Sequence, residues 1–325
     1  MLHVLNGDSM LPAFGKSGIP GDCCVIADVL HEGPVLADPT DSAFIEARIR
    51  FAVLAGWGSP DDATTHNAAW SRCLVSASDR DEVVLWFEHD LYDQLLLLHH
   101  IEWFARTQSR ARISLVCIGA FEGMPDFRGL GQLSAAQLKS LFPGRTAVDA
   151  LAVQLARRAW AAFTGDDPRA IEDVLAGDTR ALPFLEGALR RLLEEYPDAR
   201  SGLSRTERQV LRAVDAGHRT PTEAYHAQAA MEERVFLGDL LFWGVLRRLA
   251  DAPVPLLECA VRQLSAGRLP ECKLELTPFG RVVFTGDADH VAANGIDRWI
   301  GGVHLQGTQP HWRWDASAGR IIAAA

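Results

Sequence analysis

The residues best suited to chemistry follow three short apolar segments in the first ninety positions. The third segment, Val83–Phe87, ends in Glu88, His89 and Asp90, and Asp93 and Gln94 follow. The polar residues that come after the two earlier segments are Asn6, Asp8 and Ser9, and then Asp28, His31 and Glu32. Carboxylates and imidazoles are the side chains that most often bind cations or transfer protons.

Several such groups in one cleft repel one another unless a cation or a proton lies between them. Oxygen ligands favour Mg²⁺ or Mn²⁺, and a zinc-type site is the alternative if His31 and His89 both take part. Crowded carboxylates also suit general acid–base catalysis, since crowding raises their pKa. The sequence predicts His89, Glu88 and His31 as catalytic groups, Asn6, Gly7, Ser9 and Gln94 as ligand-binding groups, and Asp8, Asp28, Asp90 and Asp93 as metal ligands.

Several of these residues also have a structural interpretation. Asp90 occupies the position of a helix N-cap, and Ser9 can cap the helix that follows the first segment. Asp28 can close a turn, and His89 can be a hydrogen-bonded core residue.

Strands that alternate with helices must position these groups. Val83–Phe87 is apolar throughout, as is typical of a strand buried on both faces of a parallel sheet. Because parallel strands end at one edge of the sheet, we expect the polar groups that follow them to converge. The predicted strands are His3–Leu5, Cys23–Ala27, Val83–Phe87 and Ile113–Ile118, and the predicted helices are Asp41–Ala55, Ala63–Ser76 and Leu91–Arg106. Capping boxes at Ser134–Gln137 and Thr146–Asp149 predict two more helix starts.

The pattern indicates an α/β protein in three parts. Residues 1–145 form a mainly parallel, doubly wound sheet of the flavodoxin or Rossmann type, residues 146–202 a helical connector, and residues 203–325 a winged-helix-like α+β domain with a β tail.

The winged-helix-like interpretation rests on three helices followed by a β-hairpin. Capping boxes at Ser204 and Thr220 open two helices, and a third spans Met231–Leu249. Two strand-like pieces, Leu256–Val261 and Lys273–Leu276, follow. The third helix carries Phe236, Leu241, Phe242 and Trp243 and few polar groups, whereas a DNA recognition helix presents Arg, Lys, Asn or Gln. The pattern therefore favours contact with a protein over DNA reading.

Composition narrows the class of protein. The 325 residues carry a formal net charge of -10, which argues against binding to nucleic acid through bulk electrostatics. The six cysteines include no Cys-x-x-Cys pair and are expected to be unpaired in a reducing compartment. Neither a signal peptide nor an apolar run of membrane-spanning length is visible, so we expect a cytoplasmic protein without a membrane partner.

Three blocks of sequence together resemble the bacterial domain-of-unknown-function family 1835. They are His3–Ser9, Asp28–Pro34 and Trp86–Leu95, and the likeness covers roughly the first 120 residues. Gly301–Leu305 and Trp312–Asp315 are similar to the tail of longer members. The resemblance implies a bacterial cytoplasmic protein and transfers no catalytic role.

Two functions remain open from the sequence. The first is binding or metal-assisted hydrolysis of a small molecule, such as a nucleotide or phosphorylated metabolite, at the strand ends. The second is a regulatory or adaptor protein that senses a ligand and contacts a protein partner through its C-terminal half. Whether the chain is an enzyme stays open here.

Overall fold

The computed structural model describes residues 1–259 and 272–324. The chain divides into two compact units, residues 1–189 and 190–325. The residues predicted as a connector, 146–202, are shared between these units.

The first unit alternates strands and helices in the order that the sequence predicts. Its strands are β1 (Leu2–Leu5), β2 (Asp22–Val25), β3 (Gly33–Pro34), β4 (Glu82–Glu88), β5 (Arg112–Ile118) and β6 (Thr146–Ala147). Its helices are α1 (Leu11–Phe14), α2 (Ser42–Leu54), α3 (Pro60–Ala77), α4 (Leu91–Arg106), α5 (Ala135–Leu141), α6 (Ala150–Thr164) and α7 (Arg169–Leu175), and α8 (Leu185–Leu193) leads into the second unit. Single 3-10 turns lie at Asp8–Met10, Leu130–Gln132 and Phe142–Gly144.

A five-stranded sheet in the order β2-β1-β4-β5-β6 forms the centre of the first unit. Strands β2, β1, β4 and β5 are parallel, and only β6 is antiparallel to its neighbour. The prediction of a mainly parallel α/β sheet is confirmed. Strand β2 lies on one side of β1 in the sheet, and β4 lies on the other side of β1. The direction in which strands are added therefore reverses between β1 and β4.

Helices cover both faces of this sheet. Val84 and Trp86 pack with Phe14 of α1 and Leu138 of α5 on one face. The Phe87 ring faces the other way and lies 5.4 Å from the His100 ring of α4. All seven residues of β4 are buried, which explains why its sequence lacks a polar alternation.

Two predicted helix starts are wrong. Ser9 caps no helix: it is exposed inside a 3-10 turn that has no side-chain cap. Thr146 pairs with Leu115 as part of edge strand β6, and Asp149 caps α6 instead by accepting from the Ala152 N–H at 2.9 Å. A capping box cannot form at Thr146 because this residue is part of a strand that pairs with β5.

The cysteine prediction is wrong for one pair. Cys24 of β2 and Cys73 of α3 form a disulfide with Cα atoms 6.3 Å apart. The two residues are 49 positions apart, a separation that carries no recognisable spacing signal.

The second unit consists of helices followed by short antiparallel strands. Its helices are α9 (Arg205–Asp215), α10 (Pro221–Ala229), α11 (Asp239–Ala250), α12 (Pro278–Thr285) and α13 (His290–Asn294), and its strands are β7 (Leu257–Glu258), β8 (Glu275–Leu276), β9 (Ile296–Gly301), β10 (Val303–Gly307), β11 (Trp312–Asp315) and β12 (Arg320–Ala323). Ser204 and Thr220 form the predicted capping boxes. Strands β7 and β8 pair antiparallel, while residues 260 and 261 of the predicted strand Leu256–Val261 lie outside the described residues.

Helix α11 begins eight residues later than predicted. Phe236 and Leu237 are buried ahead of it, and the Tyr225 hydroxyl donates to the Leu237 carbonyl at 3.1 Å. This tertiary contact holds the segment outside the helix that its apolar spacing suggested. Among the described helices of both units, none is long and apolar enough to cross a membrane.

Two adjacent histidines of α4 generate a prediction about acid stability. His99 lies among the rings of Phe44, Trp70 and Trp160, at centroid distances of 5.3, 5.1 and 5.6 Å. Burial lowers the pKa of His99 well below its usual 6.5 and that of His100 to about 4. Both are therefore neutral in the folded protein at neutral pH.

We expect the free energy of unfolding to fall between pH 6.5 and 4, because the unfolded chain takes up these protons first. Replacing His99→Phe should reduce the loss of stability between pH 7 and pH 5 by about 2 kcal/mol. Urea denaturation at the two pH values measures this difference. His218→Phe, at an exposed position, is the control; equal losses in wild type and H99F would contradict the assignment.

Candidate functional site

The polar residues meet where the strand order of the sheet reverses. Asn6 directly follows β1, and Glu88 ends β4, the strand beside it. In open α/β sheets, ligands bind outside the carboxyl ends of the strands at such a reversal.

Asp93 links the two strand ends. Its Oδ1 accepts from the Asn6 side-chain amide at 2.7 Å and from the Glu88 backbone N–H at 2.8 Å. Its own backbone N–H donates to Asp90 Oδ1 at 3.1 Å. Asp90 is thus the N-cap of α4, as its structural interpretation predicted, and the cap holds Asp93 in place beneath Glu88.

The Glu88 carboxylate is held from a segment distant in sequence. The Leu130 N–H donates to Glu88 Oε1 at 2.6 Å. A Cβ atom at Gly129 would lie 2.4 Å from Glu88 Oε2, so only glycine leaves room for the carboxylate there. A Cβ atom at Gly131 would similarly lie 2.5 Å from Ser9 Oγ.

Glu88, Asp90 and Asp93 form a compact group of carboxylates. One oxygen of each lies within 4.8 Å of the others, and all three residues are buried. Burial raises the pKa of Glu88. Burial, together with the charges of Asp90 and Glu88, raises the pKa of Asp93 well above its usual value. The group therefore favours either a shared proton or a bound cation.

Neighbouring side chains fix the backbone around these carboxylates. The Gln94 amide donates to the Glu88 carbonyl at 2.6 Å, and the Cys117 thiol donates to the same oxygen at 3.3 Å. Burial raises the pKa of the Cys117 thiol, which keeps it protonated for this role. The Tyr92 hydroxyl donates to the Asn6 carbonyl at 3.2 Å, and burial raises its pKa as well.

The loop after β2 is organised by an arginine rather than by a ligand site. Arg48, from α2, donates from Nε and Nη2 to the two carboxylate oxygens of Asp28, each at 2.8 Å. Its Nη1 donates to the Glu32 carbonyl at 2.7 Å. Asp28 is therefore an ion-pair partner in this structure and does not belong to the carboxylate group. The neighbouring His31 is buried, and its ring lies 6.5 Å from the Tyr92 ring.

The remaining predicted residues do not join the carboxylate group. Asp8 and Ser9 are exposed, and Gly7 is half-buried. His89 is half-buried, and its ring lies 6.4 Å from Phe127 and 5.9 Å from Phe184. Of the predicted site residues, the structure brings together Asn6, Glu88, Asp90, Asp93 and Gln94.

Sequence reasoning missed the contributions of Arg48, Tyr92, Cys117, Gly129 and Leu130. Leu130 acts through its main chain, which no side-chain pattern reveals. The two glycines that flank it, Gly129 and Gly131, were the available signal.

Comparison of the chain with models of known protein families gave no match, and a search of curated protein sequences gave none either. The resemblance to family 1835 therefore stays a prediction.

The carboxylate group predicts an unusual response to substitution. Asp93→Asn keeps the oxygen that accepts from Asn6 and Glu88 and removes one of three crowded charges. In EDTA at pH 8, we expect D93N to increase the free energy of unfolding by about 1 kcal/mol. Because the pKa of Asp93 is raised in the folded state, its ionisation destabilises the wild type as pH rises. The advantage of D93N should therefore shrink toward pH 5.

Asp28→Asn is the matched control, because it removes a carboxylate that has an arginine partner. Breaking the pair with the buried Arg48 should destabilise the protein by about 3 kcal/mol. Denaturant titrations in EDTA compare the two variants. Equal destabilisation by D93N and D28N would contradict the repulsion within the group.

Proposed function

We propose that Glu88, Asp90 and Asp93 bind a divalent cation, Mg²⁺ or Mn²⁺, and that the chain uses it to bind and hydrolyse a small phosphorylated metabolite. The observation that carries this proposal is a group of three buried carboxylates at the reversal of strand order. Oxygen ligands of this kind suit these hard cations.

A comparison with other buried acids of the chain supports a cation over a purely structural role. Glu82 pairs with Arg112 and Arg145, Glu195 pairs with Arg191 and Arg298, and Glu102 pairs with Arg106 and Arg157. In contrast, neither Glu88 nor Asp93 forms an ion pair with any residue in the described ranges. A bound cation would supply the positive charge that arginine supplies elsewhere.

In such a site, neighbouring residues of the chain would hold the ligating carboxylates in place. A divalent cation polarises a phosphoryl oxygen and lowers the pKa of bound water. Asn6 and the Glu88 N–H hold Asp93 through one oxygen, and the Leu130 N–H holds Glu88 through one oxygen. The Asp93 carboxylate thereby keeps its Oδ2 for a ligand. Such support makes the geometry of a metal site rigid.

A second candidate function is a regulatory or adaptor role for the C-terminal half. Helices α9, α10 and α11 followed by the β7–β8 pair match the order of a winged helix. Phe242 and Trp243 are buried, so they contribute to packing and do not read DNA. We also propose that the chain belongs to family 1835 and comes from the cytoplasm of a bacterium. The three blocks of sequence that carry this resemblance include Asn6, Glu88, Asp90 and Asp93.

A metal titration tests the first function. Mn²⁺ and Mg²⁺ should raise the Tm of the wild type, because a ligand of the native state stabilises it by about 2.7 kcal/mol at a hundred times its Kd. D93N should lose this response. Its stability relative to wild type should then change sign, from higher in EDTA to lower in saturating Mn²⁺.

Hydrolysis of p-nitrophenyl phosphate in Mn²⁺ extends the same test to catalysis. We expect D93N to reduce this activity about a hundredfold or more. Asp8→Asn, at an exposed position outside the carboxylate group, should keep both the Tm response and the activity. If neither cation raises the Tm of the wild type, or if D93N responds as the wild type does, the proposal is wrong.

A further inference from the structure

A cavity of about 240 Å³ lies wholly within the second unit. It is a half-open cleft lined by the start of α9, the turn after α11, and the segment from α13 into β9. Among its lining residues are Ser204, Glu207, Asp251, His290, Asn294 and Asp297. This volume is well above the roughly 15 Å³ that one water molecule needs by the same measure, so the cavity has room for a small organic ligand.

Glu207 presents a buried negative charge to this cavity. Its residue exposure is only 8%, and its Oε2 accepts from the Ser204 N–H at 2.9 Å as part of the capping box. Its Oε1 accepts no hydrogen bond from a described residue, and its carboxylate forms no ion pair with one. Because Glu207 lines the cavity, a ligand there can donate to this oxygen, and a charged donor makes a stronger hydrogen bond than a neutral one.

His290 is a second polar residue of the lining, and the Asn294 side chain determines which of its ring nitrogens carries the proton. Its Oδ1 accepts from the Val254 N–H at 2.6 Å, and its Nδ2 donates to the Val254 carbonyl at 3.1 Å. These bonds settle which end of the amide is nitrogen, so Nδ2 must donate to His290 Nδ1, 3.0 Å away. Neutral His290 then carries its proton on Nε2. His290 is 8% exposed, and its Nε2–H has no acceptor among the described residues.

The charge of the lining selects the class of ligand. Four carboxylates, from Glu195, Glu207, Asp251 and Asp297, line the cavity against the guanidinium groups of Arg248 and Arg298. The Arg298 guanidinium donates to Glu195 Oε2 at 2.8 Å and is therefore already balanced. Asp251 and Asp297 also have partners, since Arg247 lies 3.0 Å from Asp251 and His304 Nε2 lies 2.6 Å from Asp297 Oδ1. Glu207 is thus the carboxylate of the lining that has no ion-pair partner among the described residues, and its charge favours a cation over an acid.

We propose that this cavity binds a small primary ammonium compound that carries a carbonyl or hydroxyl oxygen. The ammonium group pairs with Glu207 Oε1, and the oxygen accepts from His290 Nε2. This site is separate from the proposed cation site in the first unit and does not rest on it.

Calorimetric titration of the full chain with glycinamide tests this proposal, because glycinamide has both an ammonium group and a carbonyl oxygen. We expect saturable binding, whereas acetamide, which lacks the ammonium group, should not bind. Glu207→Gln keeps an oxygen for the capping box and should weaken glycinamide binding about tenfold or more. His290→Phe should also weaken it.

Glu223→Gln is a matched control. Glu223 has the same position in the capping box of α10, accepting from the Thr220 N–H at 3.1 Å, but it is exposed and lies outside the cavity. E223Q and the first-unit variant D93N should both bind glycinamide like the wild type. The absence of saturable binding up to about 50 mM, or equal affinity in E207Q and wild type, would overturn the proposal. Circular dichroism confirms that each variant is folded.

Discussion

The structure of the first unit depends on a single carboxylate oxygen, Oδ1 of Asp93. It accepts from the Asn6 amide after β1 and from the Glu88 N–H at the end of β4, and so it joins two strands across the reversal of strand order. The same residue opens α4 and is capped there by Asp90. One buried oxygen thereby fixes the positions of two strand ends and a helix start. Since a buried acceptor without partners costs about 1–3 kcal/mol, these three elements are constrained together.

The buried acids at the two ends of β4 lie in opposite electrostatic environments. At the amino end of β4, Glu82 is held by Arg145, Arg112 and Ser114, and the Arg145 hydrogen bond leads in lowering its pKa to about 2. At the carboxyl end, burial raises the pKa of Glu88 and Asp93. The charge of Glu82 at the amino end is neutralised by arginines of the protein, whereas an additional positive charge would stabilise the ionised acids at the carboxyl end. This asymmetry gives the cation proposal its physical basis.

The second unit uses the same two arrangements of buried acids. Glu195 is enclosed by Arg191, Arg298 and Thr206, and the charges of the two arginines lower its pKa despite its burial. Glu207, twelve residues later, is held by a helix cap through one oxygen and faces a cavity with the other. In both units, buried acids that pair with arginine are balanced within the protein, and the two proposed ligand sites lie at buried acids, Glu88 with Asp93 and Glu207, that pair with no arginine among the described residues.

The sequence by itself determined the local elements and the position of the candidate site along the chain. The apolar run Val83–Phe87 and the Asp90 cap predicted correctly that α4 begins at Leu91, because burial pattern and capping are local. Parallel topology then placed Asn6 near Glu88. Only the tertiary structure decided which acids meet and which are neutralised. Asp28 was separated from the group by Arg48, twenty residues away, and Glu88 was completed by the N–H of Leu130, 42 residues away. The same long-range effects placed Thr146 in an edge strand and Cys24 beside Cys73. These outcomes depend on distances between segments that no local pattern encodes.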